Sequence, residues 1–298
     1  MRVLVTGAAG MLGSQLLLDA PAGVEAIGTD LVEVGAEGGP SFAHGGCDLT
    51  DEAQCEALID GLGQVDGILH PAAYTAVDKA EEEEELAHRV NAIAPEVVAR
   101  AAARRGIEML LVSTDFVFDG QGKRPYRPDD PTDPLGVYGR TKMEGEERAR
   151  AAHPEGLAVV RTQWLYGPRG NHFPGTILRL ASQLPELRVV QDQMGSPTST
   201  LELSPALWDV LQKKAQGTFH GACEGEASWF DFAKATLELC GDTTPIQPCA
   251  SEEFPRPAPR PAYSVLDCSA LTELRGRALA PWRTALKNFL RAESLIRS

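Results

Sequence analysis

The chain has 298 residues, 43% of them hydrophobic, enough to bury a substantial core as one large domain or two modest ones. Its formal net charge of −14, from 42 acidic against 28 basic residues, excludes a protein that tracks a nucleic-acid backbone, which needs a positive field to displace counterions. Six scattered cysteines without a C-x-x-C pair, no apolar stretch of membrane-spanning length, and an opening MRVLVTGAAG that breaks at Gly7 lead us to expect a cytoplasmic protein with reduced thiols, no metal centre and no membrane partner.

In chain order, RVLVT is a predicted strand followed by a helix from about Met11. VEAIGTD precedes a helix near 51–62, VDGILH one near 84–105, and IEMLLVS one beginning near Tyr138, before the strand LAVVRT at 157–162. Each strand is a short β-branched or leucine-rich run bounded by Gly, Asp or Ser, the pattern of parallel strands buried on both faces. The repeated β-α unit implies an α/β fold, a doubly wound parallel sheet of Rossmann type. Residues 1–165 are expected to form this nucleotide domain. Residues 166–298, richer in Pro, with loops DQMGSPTS and EEFPRPAPRP and helical patterns near 174–183, 204–215, 229–240 and 282–292, are expected to form a smaller α/β substrate lobe. GTFHGA reads as a strand returning to the first domain. The run EEEEE at 81–85 reads as a solvated acidic helix start.

GAAGMLG places Gly7, Gly10 and Gly13 at the first strand-to-helix turn, with Met11 and Leu12 opening the helix. Backbone there can approach a pyrophosphate, and the helix N-terminus supplies amide donors. The spacing departs from G-x-G-x-x-G, but Asp30, 17 residues beyond Gly13 at the end of the second strand, completes a dinucleotide fingerprint. A carboxylate there accepts ribose hydroxyls and repels a 2′-phosphate, so NADH is favoured over NADPH, with Arg2 or a residue of the 31–45 loop as the routes to a phosphate. Asp48, with Leu49 beside it, either reaches the adenine or caps the next helix. Ala72 and Ala73, followed by Tyr74, lie just past a strand end, where small residues admit the cofactor.

Tyr138 and Lys142 are four residues apart, on one helical face. A phenol with an ordinary pKa near 10 that exchanges a proton near neutrality needs roughly 4 kcal/mol of anion stabilisation, which one ammonium at about 4 Å supplies. Ser113 and Thr114 end a strand on the side where ligands bind an open parallel sheet, so a hydroxyl there can hold a carbonyl oxygen beside the phenol.

With these residues, GAAGMLG, AAYTAVDKAE, STDFVFDG, YGRTKMEGE, VVQDQMGSPTST and EFPRPAPRPAYSVLD, the chain resembles the extended short-chain dehydrogenases and, within them, the dTDP-4-dehydrorhamnose reductase family, over nearly its whole length. The resemblance implies Thr114, Tyr138 and Lys142 as the catalytic trio. It implies substrate contacts from Thr75, Ala76, Val77 and Asp78, from Asp115, Trp164 and Asn171, and from the Arg260–Pro261 corner. It further implies NADH- or NADPH-dependent reduction of a dTDP-linked 4-keto sugar by a monomer or homodimer. Departures are His70 and Pro71 before the alanine pair, Gln163 before Trp164, and Gln15 where some relatives use a glutamate in a magnesium-linked dimer, so Mg2+ is not required by the sequence. The same fold and Tyr/Lys pair also serve sugar-nucleotide epimerases and dehydratases. A non-catalytic regulatory subunit, resembling the beta subunit of methionine adenosyltransferase, is the alternative from another class.

Overall fold

The computed structural model describes residues 1–32 and 45–296. Among the described residues the main sheet has six strands: β1 (Arg2–Val5), β2 (Glu25–Gly28), β3 (Gly67–His70), β4 (Glu108–Thr114), β5 (Leu157–Thr162) and β6 (Gly217–His220). They lie in the order β6-β5-β4-β3-β1-β2, all parallel. Side chains alternate between two cores, as strand pleating requires. Val3, Val5, Leu110, Val112 and Val160 face one, and Leu4, Met109, Leu111 and Val159 the other. Because both faces are covered, the strands read as nearly continuous apolar runs.

The second face is covered by helices Glu52–Leu62, Ala94–Arg105 and Val137–Ala152. The first is covered by Met11–Leu18 and by Thr200–Gln212, whose Trp208 donates its Nε1 hydrogen to the Leu16 carbonyl at 3.1 Å. Both Thr200–Gln212 and β6 come from the second half of the chain and pack with the first.

The single helix expected over 84–105 is three pieces: Glu84–His88, one π-helical turn at Arg89–Ile93, and Ala94–Arg105. Pro95 cannot donate to the carbonyl of Asn91, four residues earlier, which the π turn accommodates. That carbonyl packs against the Val137–Ala152 helix at Gly145, where a Cβ would lie 2.0 Å from it.

In the smaller lobe, helices Phe173–Ala181, Trp229–Cys240 and Trp282–Ala292 pack around Tyr166, Phe232 and Phe289, and around Ile177 and Leu187. Leu187–Val190 pairs in parallel with Ile246–Cys249. Helix Trp229–Cys240 starts at a reciprocal Ser228–Asp231 cap and stops at Gly241 in the left-handed region. Helix Ser269–Arg275 has no counterpart among the expected helices. Among the described residues no helix is long and apolar enough to cross a membrane.

Candidate active site

The carboxyl ends of β1 to β5 and the smaller lobe enclose a cleft of about 1240 Å3. At one end is the glycine loop. Gly7 has φ +58°, and a Cβ on it would lie 2.8 Å from Ala72 Cα, so two strand ends approach here as only glycine permits. Helix Met11–Leu18 begins after Gly10 with no side-chain cap, leaving its first amides to an anion. Gly7, Gly10, Met11, Leu12, Gly13, Asp30, Asp48, Leu49, Ala72 and Ala73 all line this part. Asp30 accepts from the amides of Ala9 at 2.9 Å and Val32 at 3.2 Å. The Glu52–Leu62 helix is capped by Asp51, not by Asp48, which takes the Thr50 amide and faces Arg89. Tyr74 is absent from the lining, since its hydroxyl bonds Glu83 and its backbone pairs with the Asn91 side chain. Arg2 is at the amino end of β1, opposite the carboxyl ends that form the cleft, and is bound to Glu25 and the Leu62 carbonyl. The phosphate-reaching candidates at 33–44 lie outside the described residues.

Midway along the cleft, β4 and helix Val137–Ala152 bring Thr114, Asp115, Tyr138 and Lys142 together. The Thr114 hydroxyl donates to Asp115 Oδ1 at 3.0 Å and accepts from the Phe116 amide at 3.2 Å. Tyr138 packs edge-on against Phe116, with centroids 5.5 Å apart. Burial pushes its phenol up to about 12, with Thr114 opposing and Asp115 adding. Lys142 is 3% exposed and donates to the Val112 carbonyl at 2.8 Å. Burial lowers its ammonium to about 8 against the pull of Glu146. The expectation that Lys142 depresses the phenol pKa is therefore not met in this arrangement, because burial dominates and the ammonium is turned to a backbone carbonyl. Beneath Lys142, Glu146 makes a buried ion pair with Arg161 at 2.8 Å. Asp115, 1% exposed, is pushed up to about 6 by burial, which outweighs the opposing effect of the nearby Ser264 and Thr114 hydroxyls. His70 is fully buried and shares a 2.9 Å hydrogen bond with Thr6; burial and nearby Lys142 hold it down to about 3, so it is neutral, and it is Pro71 that reaches the cleft.

The far end is lined by Thr75, Val77, Trp164, Asn171 and Arg260. Trp164 has φ +47°, a conformation a bulky residue holds only under compulsion from its surroundings, and its ring stacks on Trp229 with centroids 3.7 Å apart. Trp229 in turn donates to Gln193 Oε1 at 3.1 Å. Ala76 and Asp78 are not in the lining. Asp78 instead pairs with Arg260 at 2.8 Å. Trp229, Gln193, Arg188 and Arg256 also line the cleft and were not anticipated. Only the aromatic of SWFDFA carried a local signal for any of them, and its partner Trp164 is 65 residues away in sequence.

A model of the RmlD substrate binding domain family matches residues 1–295. The chain is 41% identical over 298 residues to the dTDP-4-dehydrorhamnose reductase of Mycobacterium tuberculosis, covering 98% of this chain and 93% of that one. It belongs to the dTDP-4-dehydrorhamnose reductase family. The crystal structure of the Clostridium acetobutylicum dTDP-4-dehydrorhamnose reductase superposes with a TM-score of 0.90 at 38% identity, covering 99% of this chain and all of that one. That of the Bacillus anthracis dTDP-4-dehydrorhamnose reductase, in complex with NADP, gives 0.89 at 32%, covering 98% and 99%.

Membership makes the protein a nicotinamide-dependent oxidoreductase of CH–OH groups. The geometry suits a dinucleotide, since the glycine cradle, the uncapped helix start and the Asp30 carboxylate lie along one wall of the cleft. The phenol and hydroxyl midway along the cleft are groups able to give a proton to an oxygen held against β4.

Proposed function

We propose that the protein reduces the 4-keto group of dTDP-4-dehydro-β-L-rhamnose to give dTDP-L-rhamnose. The observation that carries this reading is the placement of Thr114, Tyr138 and Lys142 midway in one cleft, between the dinucleotide cradle and the Trp164 and Arg260 end, in a chain matched over its length by reductases of this sugar nucleotide. A bound nicotinamide cofactor supplies the hydride. Tyr138 is the proton donor, and a phenol pushed up to about 12 is fully protonated at neutral pH, as a donor must be. Lys142, which lines the same part of the cleft, holds the nicotinamide ribose. Thr114 orients the keto oxygen. Its hydroxyl has one proton, which it gives to Asp115, so turning it to the substrate requires breaking the 3.0 Å bond or a proton on Asp115.

On this reading Gly7, Gly10, Met11, Leu12, Gly13, Asp30, Asp48, Leu49, Ala72 and Ala73 hold the dinucleotide, and Thr75, Val77, Asp115, Trp164, Asn171 and Arg260 hold the substrate. The chain then divides into a dinucleotide unit, 1–165, and a substrate lobe, 166–298, which lends Thr200–Gln212 and β6 back to the first unit. Asp30 favours NADH, and magnesium is possible but not required by the sequence. The test is loss of nicotinamide absorbance, with NADH and NADPH followed separately, on dTDP-4-dehydro-L-rhamnose, beside Tyr138→Phe. Consumption that depends on Tyr138 supports the reading. Tight cofactor binding without net consumption overturns it in favour of an epimerase, a dehydratase or a regulatory subunit.

A further inference from the structure

The segment TAVDKAE at 75–81 binds in two directions. On one side Asp78 Oδ1 accepts from Arg260 Nη1 at 2.8 Å and from the Ala258 amide at 3.3 Å, fastening the proline-rich loop of the smaller lobe. On the other, Glu81 Oε1 accepts from the Val137 amide at 2.8 Å. Val137 is the first residue of the helix that carries Tyr138 and Lys142, and Gly136 before it offers no side-chain cap. Glu81 thus satisfies from outside an amide that the helix cannot satisfy itself, and places a carboxylate at its positive end. Gly136 is the meeting point: a Cβ there would lie 2.6 Å from Glu81 Oε1 and 3.3 Å from Cδ of Pro259, in the loop that Asp78 holds. The rest of the acidic run reinforces the contact. Glu84 pairs with Arg140 of the same helix at 3.0 Å, and Glu83 takes the Tyr74 hydroxyl.

We infer that Glu81 is a positioning residue for Tyr138, fixing the start of its helix against the proline-rich loop so that phenol and substrate lobe keep one geometry. The inference rests on the proposed role of Tyr138. A reacting group displaced by about 1 Å loses on the order of a hundredfold in rate, so a partial displacement is read as a tenfold effect.

The experiment is a double-mutant cycle of Glu81→Ala, Gly136→Ala and the pair, with Glu81→Gln as the conservative variant, reading kcat, KM and the NADPH dissociation constant by fluorescence. Ala adopts the extended backbone of Gly136, φ −133°, without strain, so its methyl acts only by crowding Glu81 and Pro259. Each alanine variant is expected to lose about tenfold in kcat with KM changed less than about twofold, and to bind NADPH about threefold more weakly through the displaced Lys142. Glu81→Gln, which keeps an acceptor oxygen, is expected to recover most of kcat. The pair is expected to be no worse than the poorer single, because the added methyl then has no carboxylate to displace. A folded Glu81→Ala with undiminished kcat and NADPH affinity overturns the inference, as does a pair whose losses multiply. If Glu81→Ala does not fold, Gly136→Ala probes the same contact from its other side, and wild-type values there overturn the inference equally. Should the wild type fail to reduce the keto sugar, the functional reading falls while the NADPH cycle still decides the role of Glu81.

Discussion

Lys142→Met is expected to abolish activity and yet stabilise the fold at neutral pH. The lysine is 3% exposed, and burial lowers its ammonium from the ordinary 10.5 to about 8. That gap corresponds to about 3 kcal/mol by which the buried charge destabilises the folded state near pH 7. Met is of similar length and carries no charge, but forfeits the 2.8 Å bond to the Val112 carbonyl, worth about 1 kcal/mol. The net expectation is a gain of about 2 kcal/mol, or roughly 3 °C in a chain of this size. The sign with pH is determinate. A depressed pKa contributes stability that is present above 10.5 and lost as pH falls through about 8, so the wild type should close the gap as pH rises from 8 to 10. Urea unfolding of both proteins at pH 7 and pH 10, followed by circular dichroism, reads the difference directly. A variant no more stable than wild type at pH 7, or a difference that is the same at both pH values, would refute the reasoning.

Glu146→Gln should cost about 3–5 kcal/mol in urea unfolding, because it strands the Arg161 guanidinium among buried atoms, and Glu146→Met with Arg161→Met together should recover most of that loss. Asp115→Asn should be more stable than wild type above pH 6, with the difference vanishing toward pH 4 in the same assay. Its carboxyl is raised from 3.8 to about 6, so its stabilising contribution is present below 3.8 and lost as pH rises through 6. Gly7→Ala adds a Cβ 2.8 Å from Ala72 Cα at φ +58°, which should cost about 1–3 kcal/mol of stability and weaken NADPH binding in a fluorescence titration; unchanged affinity would remove the glycine loop from the cofactor site.

By itself the sequence determined the doubly wound sheet, because strands buried on both faces leave uninterrupted apolar runs and the glycine-to-helix turns mark their ends. It also determined the Tyr138 and Lys142 pair, since i and i+4 meet on any helix. Gly7, Asp30 and Thr114 were legible for the same reason: each is placed by local conformation at a strand end. Beyond the return of GTFHGA as β6, contacts between distant segments were not legible. The acidic run at 81–85 is, in composition, a solvated helix start, and only the fold brings Glu81 to the Val137 amide. Asp78 and Arg260 each read as a substrate contact; that they also pair with one another, from positions 182 apart in the chain, is a product of the fold alone. The helical pattern over 84–105 concealed a π turn, because the freed Asn91 carbonyl has meaning only where Gly145 packs against it. Trp164 is stacked on Trp229 through a backbone conformation that no local propensity favours, and the ionisation of Lys142 and Asp115 is governed by burial, a property of the packed interior that no residue carries alone.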